Sequence, residues 1–384
     1  MIAPAIAHAL ALIVTASTPE EGQDLFVREC LGCHRGDSPS QVDLAAPGPR
    51  GRRALTAAAA VRDGLMPPWL PGPMGAPLAH ERRLNEHERA TLVAWLERGA
   101  IVEGKLPPAP SVGVPAATTC LVNSPSWEVG AAPGMAMRAF AVELGNSQSL
   151  RVQGLALRCD SPGLVHSISL LADTRGYAQR LDAADPSPGY DAAGDIGLDA
   201  SGSAGAVARL QGEWLLPRGC ALEIPAQSTL VLEVHADPRG RTESTACRID
   251  FFGADPGATT VKAYSFSRVL GARIGDASRA MTVLVRAGSN ALGIHVIATA
   301  PDGSRTTLLE IPRWNERFSE PWNFDPPVPL AAGTQLSVEW TTNEEAPVIP
   351  ATSHAAAMVE PTVVVLTAPA PTEAAQAIVT FGSR

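Results

Sequence analysis

From residue 138 onward, short apolar runs alternate with polar positions and break at Gly, Pro, Asn and Asp. "RAFAVEL", "STLVLEVHAD", "CRIDFFG", "TTVKAYSFSRV", "MTVLVRAG", "LGIHVIATAPDGS", "TQLSVEWTT" and "TVVVLTAP" all have this form. Runs of this length between turn residues read as strands, and a series of them points to β-sandwiches. The stretch 120–370 suits two sandwiches better than one, with a cut near Gly257. The expected units are 120–257 and 258–370, followed by a tail, 371–384. Inside the first, the Gly-, Asp- and Ser-rich stretch 182–206 predicts a long exposed loop.

The first hundred residues carry a different period. In "LNEHERATLVAWLERGA", Asn85 and Glu88 form a capping-box pair, and Leu92, Trp95, Leu96 and Ala100 recur at helical spacing. Gly99 can end that helix. "KLPPAPSVGVPAATT", 105–119, is rich in proline and nearly free of charge, and it reads as a linker. At the start, the apolar run Ala3–Ala16 has the length of a signal-peptide core, and Val14-Thr15-Ala16 resembles a cleavage site. No Lys or Arg precedes the run, so a short buried helix is the competing reading. Residues 1–17 are expected to be a signal peptide, and the run is too short to span a bilayer. No later stretch reaches about 18 uninterrupted apolar residues, so the mature chain is expected to have no integral membrane span.

Composition narrows the choices. A length of 384 residues suggests about two or three domains. Hydrophobic residues make up 45%, enough for ordinary cores, and 34 Gly with 34 Pro favour turns and short strands over a helical array. A net charge of −9 argues against nucleic acid as a partner.

The strongest chemical signal is "FVRECLGCHRGD", which contains Cys30-Leu31-Gly32-Cys33-His34. At these residue frequencies Cys-x-x-Cys-His is expected about 0.002 times by chance. A zinc site would need a second ligand pair, and no further Cys-x-x-Cys or His-x-x-x-His exists. A thioredoxin-like redox pair would need a βαβ setting, which the flanking sequence does not supply. The remaining reading is covalent attachment of haem c, with thioethers at Cys30 and Cys33 and His34 as an axial iron ligand. Met66 in "VRDGLMPPWLPGPM" is the expected second ligand, because Pro67 and Pro68 stop a helix and stiffen the loop. Met74, His80 and His87 are the alternatives, and core packing of Met66 is the plain one. Thioether ligation suits electron transfer rather than oxygen activation.

The order of CxxCH helix, methionine loop and amphipathic helix resembles the class I-type cytochromes c. "LMPPW" with "RRLNEHERATLVAWLERGA" resembles the cytochrome modules at the N-terminus of bacterial copper-monooxygenase-like proteins. The resemblance implies a small all-α cytochrome c domain over 18–105. The β half resembles the copper type II, ascorbate-dependent monooxygenases, the group of peptidylglycine hydroxylating and dopamine β-monooxygenases. "LVHSISLLAD" and "TLVLEVHADPRGR" resemble the strands with the first copper's histidines. "AGSNALGIHVIATAPDGSRTTLLEIPRWNERFSEPWNF" resembles the stretch with the second copper's His-x-His. "PLAAGTQLSVEWTTNEEAPVIP" and "SHAAAMVEPTVVVL" resemble the later strands and the one with the methionine ligand. The implied fold is a pair of tandem jelly-roll-like sandwiches, each holding one copper.

Several ligand positions depart from that family. The first site keeps His166 and His235, but Ser167 stands in the second place and Asp237 follows two after His235. The second site's histidines fall on Gly288 and Asn290, and Met358 is the ligand that remains. Glycine offers no ligand, and an amide is a poor one for copper beside imidazole. His166 and His235 read equally as residual copper ligands and as structural residues. His295 and His354 could contribute to a relocated site, although single histidines are usually packed or solvated.

The other four cysteines, Cys120, Cys159, Cys220 and Cys247, suggest two disulfides in an exported protein, each adding about 2–4 kcal/mol. Three pairings are open, and free buried thiols are the alternative. The leading functional expectation is a periplasmic or otherwise exported c-type cytochrome. It would exchange single electrons with a redox partner protein or a small donor, with the degenerate β region acting as a docking or binding module. The second is an active copper-dependent monooxygenase fed by its own haem. The third is an interaction protein whose haem senses redox state.

Overall fold

The computed structural model describes residues 18–34, 43–44, 51–100, 118–161, 163–192, 203–210, 212–288, 290–315, 318–342 and 362–370, with 203–210 as backbone only. The expected signal peptide, most of the linker, and Met358 and His354 lie outside these residues. Among the described residues no helix is long and apolar enough to cross a membrane.

Among the described residues, three helices form one unit. Helix α1, Pro19–Glu29, starts at Thr18, whose hydroxyl accepts from the Glu21 N–H while the Glu21 carboxylate accepts from the Thr18 N–H. Helix α2, Gly51–Arg62, buries Ala54, Ala58 and Val61 along one stripe, and Gly64 turns the chain away at a φ of 71°. Helix α3, Glu86–Glu97, has the predicted Asn85–Glu88 capping box, and Gly99 follows at a φ of 97°. Leu92, Trp95, Leu96 and Ala100 are buried with Leu25, Phe26 and Leu31. Gly22 lets α1 approach α3, since a Cβ there would sit 2.4 Å from the Trp95 Cβ.

The second unit is β. A six-stranded sheet orders Thr118–Asn123, Cys247–Gly253, Leu150–Cys159, Cys220–Ile224 and Thr259–Thr260, with Glu213–Leu215 beside Leu150–Cys159. A five-stranded sheet orders Tyr190–Asp191, Ala136–Glu143, Thr229–Ala236, Val165–Asp173 and Ser203–Leu210. Helix α4, Tyr177–Ala184, packs on that sheet. Two four-stranded sheets complete the main framework. One orders Lys262–Phe266, Thr362–Pro369, Ser278–Arg286 and Trp322–Leu330. The other orders Ala272–Arg273, Gln335–Thr342, Ala291–Thr299 and Arg305–Ile311.

The expected fold class is corrected on two points. Among the described residues no self-contained small all-α domain of the class I cytochrome type occupies 18–105, and the described part of the chain is mostly β, 44% strand against 16% helix. Residues 68–81 belong to the β unit and interrupt the helical one. After Pro67 and Pro68 the chain cannot continue as helix, and its apolar residues Trp69, Leu70 and Leu78 pack on the β core. Its backbone joins strands there, with N–H donation from Gly72 to Glu310 (2.7 Å), Ala76 to Leu308 (3.1 Å) and Ala79 to Asn323 (2.8 Å). Gly75 permits the approach, because a Cβ would lie 3.2 Å from the backbone of Leu308–Glu310.

Nor are there two independent sandwiches in tandem. The sheet of Ser278–Arg286 and Thr362–Pro369 is buried on both faces. Met281, Leu284, Val364, Leu366 and Ala368 enter the core shared with Phe140, Leu155, Ile168 and Phe251. Ala280, Val283, Val285, Val363 and Val365 enter the core of the later strands. Alternate residues of one strand therefore serve two cores. This is why "TVVVL" is a continuous apolar run rather than an alternating one.

Candidate functional site

Cys30-Leu31-Gly32-Cys33-His34 continues α1 by one further turn. The Cys30 N–H donates to Phe26 O at 2.9 Å, and the Cys30 carbonyl accepts from Cys33 N–H at 3.2 Å and His34 N–H at 2.9 Å. Cys30, Cys33 and His34 thus stand at the three- and four-residue offsets that bring side chains to one side of a turn. Leu31 points inward and is fully buried, anchoring the turn to the helical core. Gly32 has no described atom within 4 Å of a built Cβ.

The two thiols differ in surroundings. Cys30 is buried and Cys33 is exposed, while His34 is half-buried. Burial, with Glu29 and Cys33 adding to it, pushes the Cys30 thiol up to about 12. A zinc ligand or a redox nucleophile must be a thiolate, which this setting opposes. A thioether carries no charge and loses nothing by the same burial.

Met66 lies just beyond α2, with its N–H on Ala60 O at 3.2 Å and a cis bond to Pro67. It packs, half-buried, on the same apolar cluster as Cys30. Of the alternatives, Met74 and His80 fall within the β unit, where both are exposed. His87 is exposed on the first turn of α3. Trp95 is nearly fully buried in the Cys30 cluster, and its indole N–H has no partner among the described residues. Two thiols, an imidazole, a thioether sulfur and an orphan donor in one apolar unit form a donor set that fits covalently held haem.

Met358 lies outside the described residues, and the other copper-ligand positions fall on two strands and a turn. His235 is buried on Thr229–Ala236, opposite Ser167. His166 is the extra residue of a bulge, since Ser167 pairs with His235 and Val165 with Ala236. Asp237 follows the strand and donates its N–H to Leu164 O at 2.8 Å. Gly288 and Asn290 lie in the turn before Ala291–Thr299, and the buried Asn290 amide has no partner among the described residues. His295 is exposed, between Glu310 and Glu339 on the adjacent strands. Among the described residues no group of three or more His, Cys, Asp or Glu could hold a metal ion.

Sequence reasoning missed a buried ionic cluster at this place. Glu233 is completely buried, with Arg286 Nη2 2.6 Å from its Oε1 and His235 Nε2 3.4 Å from its Oε2. Burial pushes this carboxyl up, but Arg286 and then His235 outweigh it and hold it down at about 2. The available signal was a lone carboxylate in the apolar run "TLVLEVHA".

No family model and no curated protein matches the chain. Among solved structures it is similar to the STIV MCP at 10% identity and a TM-score of 0.21, over 66% of this chain and 94% of that one. It is also similar to the N-terminal CBM22-1-CBM22-2 tandem domain from Paenibacillus barcinonensis Xyn10C, at 8% identity and a TM-score of 0.15, over 68% of this chain and 100% of that one. At these scores neither likeness bears on fold or function.

Proposed function

We propose that this chain is an exported c-type haem protein that passes single electrons. The observation that carries the reading is the turn after α1, which presents Cys30, Cys33 and His34 together, with Met66 on the same apolar cluster. When bound, the group supplies one-electron exchange at iron. Cys30 and Cys33 would hold the group covalently through two thioether sulfurs. His34 offers an imidazole nitrogen from the turn, and Met66 offers a neutral sulfur from its proline-stiffened loop. Leu55 and Leu65 are 55% and 54% exposed in the same unit, apolar surface available to a flat hydrophobic group. In this reading the β unit is a docking or binding module for the redox partner rather than an oxygenase.

The test is expression of the full chain with haem-c maturation machinery, followed by a reduced-minus-oxidised visible spectrum and extraction with acidified acetone. A haem-c spectrum that stays with the protein supports the reading. Colourless protein, or pigment that leaves with the acetone, overturns it.

A further inference from the structure

The four cysteines of the β unit are not equivalent. Cys159 ends one strand and Cys247 begins its antiparallel neighbour, and the two are directly opposite in register. Their sulfurs are 3.3 Å apart. The hydrogen bonds around Cys247 define the kind of pair. Its N–H donates to Ser124 Oγ at 2.9 Å, and its carbonyl accepts from the Ser124 N–H at 2.8 Å. Both main-chain groups therefore face Ser124 and turn away from Cys159. Cys159 and Cys247 are a non-hydrogen-bonded pair, the kind with Cα atoms about 4.5 Å apart and side chains closest. That separation lies inside the range of about 4.4–6.8 Å a disulfide accepts.

Cys120 and Cys220 have no such arrangement. Cys120 stands opposite Phe251 on the outermost strand. Cys220 lies three strands along the same sheet, beyond Cys247–Gly253 and Leu150–Cys159. Three strand spacings come to about 14 Å, twice the reach of a disulfide.

We propose that Cys159 and Cys247 are a redox site that closes to a cross-strand disulfide by exchange with a small disulfide such as oxidised glutathione. Cys120 and Cys220 remain thiols. Cys159 is half-buried and Cys247 is buried, so exchange begins at Cys159. The Cys159 thiolate attacks one donor sulfur, breaks the donor S–S bond and releases one reduced thiol. The Cys247 sulfur then displaces the second. Two protein thiols lose two electrons and two protons, and the donor gains both as two thiols. The Cys159 contact and burial raise the Cys247 thiol, which makes the second displacement the slow one. The closed loop holds the strands that carry His166, Ser167, Glu233 and His235. The site depends on strand register alone and not on haem.

The experiment treats the full chain with oxidised glutathione, blocks remaining thiols with N-ethylmaleimide under denaturing conditions, and maps non-reduced peptides by mass spectrometry. The expected result is a Cys159–Cys247 linked peptide, with Cys120 and Cys220 both alkylated. The oxidised chain melts about 5–10 °C above the reduced one, and Cys159→Ala abolishes that difference. The proposal is overturned if Cys159 and Cys247 are both alkylated after oxidation, or if either is found linked to Cys120 or Cys220. The wild-type map decides the matter even where a variant fails to fold.

Discussion

Arg286 ends one strand of the doubly buried sheet and places its Nη2 2.6 Å from Oε1 of Glu233, in the middle of a strand of the five-stranded sheet. The two residues are 53 positions apart and belong to the two halves that the sequence assigns to separate sandwiches. Glu233 has no exposure, so its charge depends on that guanidinium and on His235.

Removing one partner should therefore be worse than losing an ordinary ion pair. Arg286→Met leaves a completely buried carboxylate without its main counter-charge. The expected loss is about 3–5 kcal/mol of unfolding free energy. The double variant Arg286→Met with Glu233→Leu should recover most of it. Urea unfolding of the two variants checks this, and equal losses in both would contradict it.

The same pair sets an acid limit. The Glu233 carboxyl is held at about 2, below the ordinary 4.5. A lowered folded-state value contributes stability that is fully present above 4.5 and is lost as pH falls from there toward 2. Unfolding free energy measured between pH 6 and pH 2 should fall more steeply in the native chain than in Glu233→Gln.

The shared sheet predicts cooperativity. Val364 and Val365 are neighbours whose side chains enter different cores. Val364→Ala and Val365→Ala should each cost about 1–3 kcal/mol. Each should shift a single β-unit transition in calorimetry. Two separable transitions, one moved by each substitution, would mean that the cores unfold independently.

The helical unit should be intolerant of bulk at its closest helix contact. Gly22→Ala puts a methyl 2.4 Å from the Trp95 Cβ, closer than such carbons approach, so something must shift. The expected cost is about 1–3 kcal/mol, with loss of near-ultraviolet circular dichroism from Trp95.

Under the proposed haem reading, the axial positions separate by spectrum. Met66→Ala should keep covalent pigment, lose the methionine–iron charge-transfer band and lower the reduction potential by on the order of 0.2 V. Cys30→Ala with Cys33→Ala should abolish covalent pigment. A charge-transfer band that survives Met66→Ala would assign the second ligand elsewhere.

Local features were legible in the chain. Asn85 and Glu88 cap α3 as their spacing predicts, because a capping box involves only neighbours. Apolar runs marked many of the strands. The lone Glu233 within such a run was a signal that composition and motif reading passed over, and its meaning depends on Arg286. Residues 68–81 misled for a related reason: proline there ends a helix, but nothing local says which core receives the chain that follows. The copper-ligand positions behave alike, since Ser167, Gly288 and Asn290 can be read as replacements while their surroundings cannot.

By itself the sequence determined where α3 begins and ends, that many apolar runs become strands, and that two cysteines and a histidine share one turn. These depend on interactions within a few residues. Only the tertiary structure decided that one sheet serves two cores, that 68–81 leaves the helices, that Arg286 neutralises Glu233, and that Cys159 rather than Cys120 or Cys220 faces Cys247. Those outcomes depend on strand register and burial between segments far apart in the chain, where many pairings satisfy the same hydrophobic pattern and only the folded packing selects one.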